Sequence, residues 1–186
     1  YAQGTEDAMR LLRQAELVGA TLPYPYGGMN LPDTILEMVV EIISRADASL
    51  MTVYGLQEIA AIMIADYGDE EMKARILPRI VSGELVGGAM VLTEPEAGSD
   101  LGAVQTHAAY DEAAGAWRPN AVKRFITNGC GDVLLVLARY EECSRVAPGR
   151  QLFAAPPDQP VLAPSAASQR WLARSSTVVL LFHHTP

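Results

Sequence analysis

Apolar positions recur at helical spacing through the first half of the chain and stop doing so after Gly83. Residues 6–18 place Ala8, Leu11, Leu12, Ala15 and Val18 on one side, with Thr5 as an N-cap and Gly19 as a stop. Residues 21–29 hold two prolines and two glycines and predict a loop. A second helix is expected over 32–46, on the stripe Ile35, Met38, Val39, Ile42, Ile43 and Ala46. Asp47 or Ser49 caps a third over 50–67, with Val53, Leu56, Ile59, Ala60, Met63, Ile64 and Tyr67 as its apolar face. Asp69 caps a fourth over 69–81, with Glu70 and Glu71 in its first turn; Pro78 is expected to kink or shorten it. Beyond it the texture is that of short strands and turns. Strands are expected within 85–92, 104–109, 117–127, 133–138 and 178–182. The fold class is therefore α+β: an all-α domain over 1–83, then a β-rich domain over 84–186. The stretch 142–169 is rich in Pro, Ala, Ser and Gln and shows no pattern.

Composition narrows the function. With 186 residues and 49% apolar content the chain can bury a core, and disorder as a whole is excluded. The net charge of −8 argues against nucleic acid as a partner, since phosphate neutralisation needs a basic face. No apolar run reaches the roughly 18 residues that a membrane span needs. Cys130 and Cys143 form no C-x-x-C pair and read as reduced thiols. The chain opens on Tyr1 inside a helical pattern and reads as part of something longer. His183-His184 lacks the partners of a metal site, His107 has no nucleophile to activate, and Gly129-Cys-Gly131 is a turn.

The segment with chemical content is Val91-Leu-Thr-Glu-Pro-Glu-Ala-Gly-Ser-Asp-Leu-Gly102. A strand ends there in a turn of small residues. The backbone amides of Ala97, Gly98 and Ser99 can form a nest for a phosphate or pyrophosphate, with the Thr93 and Ser99 hydroxyls beside it. By spacing alone, the run reads first as an ordinary β-turn with a surface acidic cluster.

Residues 93–100 resemble the T-E-P-x-A-G-S-D signature of acyl-CoA dehydrogenases. Lys123-Arg-Phe-Ile-Thr-Asn-Gly129 resembles that family's K-x-W/F-I-T-N-G strand, and Pro25-Tyr-Gly-Gly-Met-Asn-Leu31 its P-x-x-Y-G-G loop. The runs Ser44 to Ser49 and Tyr67 to Pro78 are also similar to family segments, so the resemblance covers about residues 10–141. Arg174-Ser-Ser-Thr177 with Leu181-Phe182 resembles one further strand. Departures are Ala121 where the family often has Gly, and Met90 where it often has an aromatic residue.

The resemblance implies an N-terminal helical domain, a barrel-like middle β-domain, and truncation before a C-terminal helical bundle. It implies FAD as cofactor. The strand from Met90 would lie along the flavin, and the Leu92 backbone and the Thr93 hydroxyl would hydrogen-bond its polar edge. Gly98 and Ser99 would hold the pyrophosphate, and Ser99 would also face the substrate's CoA tail. Phe125 would pack on the ring, Ile126 would offer backbone, and Thr127 would bond near N5. The reaction implied is α,β-dehydrogenation of an acyl-CoA thioester, with electrons passed to an electron-transfer flavoprotein. The catalytic base would be a glutamate of the C-terminal domain, not Glu94 or Glu96, so this chain would be inactive or impaired. Homo-oligomers, and a bacterial cytoplasm or mitochondrial matrix, are implied likewise. Two readings stay beside this one: an acyl-CoA oxidase or other flavoenzyme of the same fold, and a non-catalytic fragment that only folds or associates.

Overall fold

Two aspartates start two of the four α-helices among the described residues. Asp47 accepts from the Ser49 and Leu50 amides at 2.8 and 3.1 Å, and Asp69 from the Met72 amide at 2.7 Å. Each cap satisfies amides that a helix start leaves unpaired. The computed structural model describes residues 3–113, 116–140, 150–155 and 177–182. Its helices are α1 (Gln3–Gln14), α2 (Asp33–Ala46), α3 (Ala48–Tyr67) and α4 (Glu70–Ser82).

α1 starts earlier and ends sooner than its apolar spacing predicts. Thr5 lies buried inside the helix instead of capping it. The chain leaves helix at Glu16, whose φ is +58°, and turns at Gly19, whose φ is +68°. The Gly19 amide is taken by both oxygens of the Glu58 carboxylate, at 2.9 and 3.0 Å. That capture, absent from any local pattern, explains the early exit. A Cβ on Gly19 would stand 2.7 Å from Val81, so glycine is required there. α4 is not shortened at Pro78 but runs on to Ser82, where Gly83 closes it in the left-handed region. Proline inside a helix costs about 3 kcal/mol. Ile76, Leu77 and Ile80, all buried around it, each contribute about 1.5–3 kcal/mol.

α3 is the core helix. Val53, Tyr54, Ala60, Ala61 and Ile64 are buried in the main apolar cluster. It is long and apolar enough to cross a membrane by length and composition, but here it packs against α1, α2, α4 and the sheet. Its predicted stripe is rotated: Gln57 and Glu58 are inside, while Ile59 and Tyr67 are exposed. α2 departs similarly. It packs through Leu36 and Ile43, which leaves Ile35, Met38 and Ile42 of the predicted stripe on the surface.

The strands are β1 (Gly88–Val91), β2 (His107–Asp111), β3 (Ala116–Thr127), β4 (Val133–Tyr140), β5 (Arg150–Ala155) and β6 (Thr177–Phe182). They form one mixed sheet in the order β1-β4-β2-β3-β6, with β5 antiparallel to β4. β1 runs parallel to β4, in the register Val91 to Val136. The sheet curls: β3 is three places from β1 in the order, yet the Arg124 amide donates to the Thr93 carbonyl at 2.9 Å, just past β1. β5 is not foreseen by the sequence pattern, which shows no alternation there. His183-His184, Cys143 and the unpatterned stretch other than residues 150–155 lie outside the described residues.

The helices and the sheet meet around Gly88. A Cβ there would stand 2.7 Å from the Ala60 side chain of α3, so only glycine permits this approach. Polar bonds fix the joint: Gly87 N–H to Gln57 Oε1 at 2.6 Å, Asn128 Nδ2–H to the Gly88 carbonyl at 2.7 Å, and Val86 N–H to Asp132 at 2.6 Å. β1 is thereby held against α3, and past Val91 the strand leads into the signature turn.

Candidate functional site

Beyond β1 the chain runs Leu92, Thr93, Glu94 and then turns. The turn is closed by Glu94 and Ala97, which exchange backbone bonds at 2.9 and 3.3 Å. The Ala97 amide is thus spent on the Glu94 carbonyl, and the expected three-amide nest reduces to Gly98 and Ser99. Both are exposed, and a Cβ at Gly98 would meet nothing within 4 Å. Asp100 caps the next turn by accepting from the Gly102 amide at 2.8 Å.

The Glu94 side chain points inward, to a completely buried lysine. Lys123 Nζ donates to Glu94 Oε1 at 2.8 Å and to the carbonyls of Leu92 and Leu137 at 2.9 Å each. Three ammonium protons meet three acceptors. Glu94 also accepts from the Gln105 amide at 2.7 Å, the Thr106 amide at 3.1 Å and the Thr106 hydroxyl. Burial opposes ionisation of Glu94, but the Lys123 ammonium, the Thr106 hydroxyl and the two amides outweigh it and hold its carboxyl below the usual range. Burial pushes the Lys123 ammonium below its ordinary value, against the pull of Glu94. The pair ties the signature turn to β3 and β4. With every oxygen and proton engaged, neither side chain is available for proton transfer. The Leu92 carbonyl is likewise occupied, by Lys123.

Lys123 points inward because β3 is irregular there. Its register with β6 shifts between Lys123 and Ile126, and Phe125 takes φ +56°. Left-handed backbone costs an aromatic residue roughly 1–2 kcal/mol. Lys123 and Phe125, two positions apart, would share a face on a regular strand; across the bulge Lys123 goes to the interior while Phe125 is 72% exposed.

Phe125 faces a cavity of about 520 Å³ between the sheet and α2–α3. Met90, Leu92, Thr93, Phe125, Ile126 and Thr127 line the sheet side. Six of the eight residues named from the sequence thus share one cavity; Gly98 and Ser99 are outside its lining. The opposite wall is Leu36, Glu37 and Val40 of α2 with Met51, Thr52, Gly55, Leu56 and Ile59 of α3. Sequence reasoning named none of these helical residues as site residues. Leu56 and Ile59 read as core from the sequence, and the one local hint is Gly55, a glycine inside a helix with nothing within 4 Å of an added Cβ. Thr52 is occupied, donating to the Ala48 carbonyl at 2.8 Å.

The remaining candidates have structural roles. Glu70, beside Asp69, pairs with Lys73 at 3.0 Å and accepts from the Tyr26 hydroxyl at 3.1 Å. His107 Nδ1 bonds the Gln105 carbonyl at 2.7 Å. Among the described residues no cluster has the ligands of a metal site, and Cys130 is a free, exposed thiol.

Comparison with known proteins agrees with this architecture. The sequence model of the acyl-CoA dehydrogenase N-terminal domain matches residues 2–84, and that of the middle domain matches residues 89–175. A probable acyl-CoA dehydrogenase of Bacillus subtilis (strain 168) is 34% identical over 140 residues, covering 73% of this chain and 23% of the relative. A mitochondrial isovaleryl-CoA dehydrogenase of Solanum tuberosum is 35% identical over 134 residues, covering 71% of this chain and 32% of the relative. The crystal structure of an acyl-CoA dehydrogenase complexed with FAD from Bacillus anthracis superposes with a TM-score of 0.79 at 29% identity, over 94% of this chain and 30% of that one. The chain belongs to the acyl-CoA dehydrogenase family, a family of oxidoreductases. It corresponds to the N-terminal helical and middle β-domains and spans 23% and 32% of the length of these two curated relatives.

Proposed function

We propose that this chain supplies two walls of an FAD-dependent acyl-CoA dehydrogenase site. The observation that carries this reading is the single cavity shared by Thr93, Phe125 and Thr127 from the sheet and by the apolar faces of α2 and α3. The residues suit a flat, polar-edged ring. Phe125 offers an aromatic face, Met90 and Leu92 exclude water beside it, and Thr93 and Thr127 bring hydroxyls to the same wall for its edge. The open turn at Gly98 and Ser99 leaves room for the pyrophosphate at exposed amides. FAD, when bound, supplies acceptance of the hydride removed from the acyl β-carbon.

The helical wall receives the acyl chain. Leu36, Val40, Met51, Leu56 and Ile59 give it an apolar lining from which water is displaced on binding. By the family resemblance the abstracting base would belong to a C-terminal domain outside these 186 residues; Glu94, locked to Lys123, does not take that role. Transfer to an electron-transfer flavoprotein and assembly into a homo-oligomer belong to the same proposal for the whole protein.

Quenching of FAD fluorescence tests the cofactor half. The wild-type chain is expected to quench saturably, and Phe125→Gly to weaken binding on the order of tenfold through loss of the stacking face. Equal affinity in the variant would remove Phe125 from the flavin site.

A further inference from the structure

The helical wall of the cavity carries one charge, and it is negative. We propose that Glu37 selects the acyl group by charge. The site accepts thioesters whose tail is uncharged and disfavours those that end in a carboxylate. This rests on the flavin–acyl reading of the cavity.

Glu37 lies in the first half of α2, between the apolar lining residues Leu36 and Val40, with its side chain exposed. Among the described residues that line the cavity there is no Lys, Arg or His. Lys123, on the same strand as Phe125, sits behind the sheet face with all three protons engaged by Leu92, Glu94 and Leu137. Thr52 donates its proton to Ala48, which leaves an incoming anion no hydroxyl proton on that wall. A tail carboxylate against this wall exchanges water for apolar contact, finds no cation and no hydroxyl proton on the helical side, and meets a like charge at Glu37. A methyl-ended tail of equal length meets only the gain from apolar burial. Because Glu37 is exposed, its part of the discrimination is screened by salt.

Valeryl-CoA and glutaryl-CoA are suitable probes, since their tails have the same length and differ in the terminal carboxylate. Their dissociation constants are measured by calorimetry on the intact chain with FAD in excess, for wild type, Glu37→Gln and Glu37→Lys. Valeryl-CoA is expected to bind about tenfold tighter to wild type. Glu37→Gln should narrow that ratio by about threefold or more, and Glu37→Lys should narrow it further or invert it. Raising salt to about 0.5 M should narrow the wild-type ratio and leave that of Glu37→Gln unmoved. An equal affinity of wild type for both thioesters, or a ratio that neither substitution changes, overturns the selection and leaves the cavity assignment standing. Failure of the chain to bind either thioester overturns both. Thermal melts of the variants confirm that a change in ratio is not a change in folding, since the Glu37 side chain is exposed.

Discussion

At the scale of single residues, the site depends on two that sit against their own preferences. Phe125 holds a left-handed backbone, and Lys123 is a buried cation. Phe125→Gly relieves the strained φ and removes little buried surface. It should therefore raise the unfolding free energy by roughly 1 kcal/mol while lowering affinity for flavin. Urea titration checks this, and a loss of stability would show that the ring packs more than it is strained. Glu94→Gln keeps the shape but leaves the Lys123 ammonium uncompensated. We expect a loss of about 3–5 kcal/mol in the same titration. Glu94 also sets an acid limit. Its folded pKa lies below the ordinary 4.5, so its contribution is full above that value and is lost as pH falls through the folded one. Neither feature is legible in the sequence. Lys123 and Glu94 are 29 positions apart and read locally as a strand residue and a turn residue. Phe125 reads as an ordinary strand aromatic, because the bulge that strains it arises from pairing with a distant strand. Six of the positions named from the motif do line one cavity, a juxtaposition that their spacing alone does not give.

At the scale of elements, caps and apolar periodicity carry most of the information. Asp69 marks the start of α4 from sequence alone, and of the two candidates Asp47 and Ser49 the structure makes Asp47 the cap of α3. The errors share a cause: tertiary partners override local pattern. α1 ends early because Glu58 of α3 captures Gly19, and α4 continues through Pro78 because its neighbours are buried. β5 goes unseen because its pairing with β4, not its composition, makes it a strand. Glu58 also gives α3 a pH dependence. Burial pushes its carboxyl up to about 7, against the Gly19 amide, which favours the ionised form. The folded chain holds that proton up to about pH 7, whereas the unfolded chain releases it near 4.5. The contribution of Glu58 is therefore full below 4.5 and is lost as pH rises through about 7. At 1.36 kcal/mol per unit, the loss is about 3 kcal/mol. Glu58→Gln keeps an acceptor for Gly19. It should abolish this fall, so that the variant is more stable than wild type at pH 8. Denaturant titrations across pH decide, and an unchanged slope in the variant would remove Glu58 as its source.

At the scale of the whole molecule, a helical layer and a curled sheet are joined at Gly88, and the cavity is the gap their union leaves. Gln57 is the polar fastener between α3 and the sheet, and Asn128 and Asp132 fix the chain around β1 to the turn between β3 and β4; the sequence marks none of them as such. The two-part organisation was legible because the hydrophobic period changes after Gly83. The helical wall of the cavity was not, since residues such as Leu56 and Ile59 look like core until the packing shows which face α3 turns inward. The apolar row Ile35, Met38 and Ile42 on the surface of α2 adds a further expectation. The isolated chain should associate at micromolar concentration, and Ile42→Lys should lower the mass seen by light scattering. The most direct test of the central claim is the visible absorption spectrum of the purified chain after incubation with FAD and removal of free flavin. A retained flavin band is predicted, lost or weakened in Phe125→Gly. A chain that folds, by far-ultraviolet circular dichroism, yet retains no flavin would contradict the claim that these walls bind the cofactor.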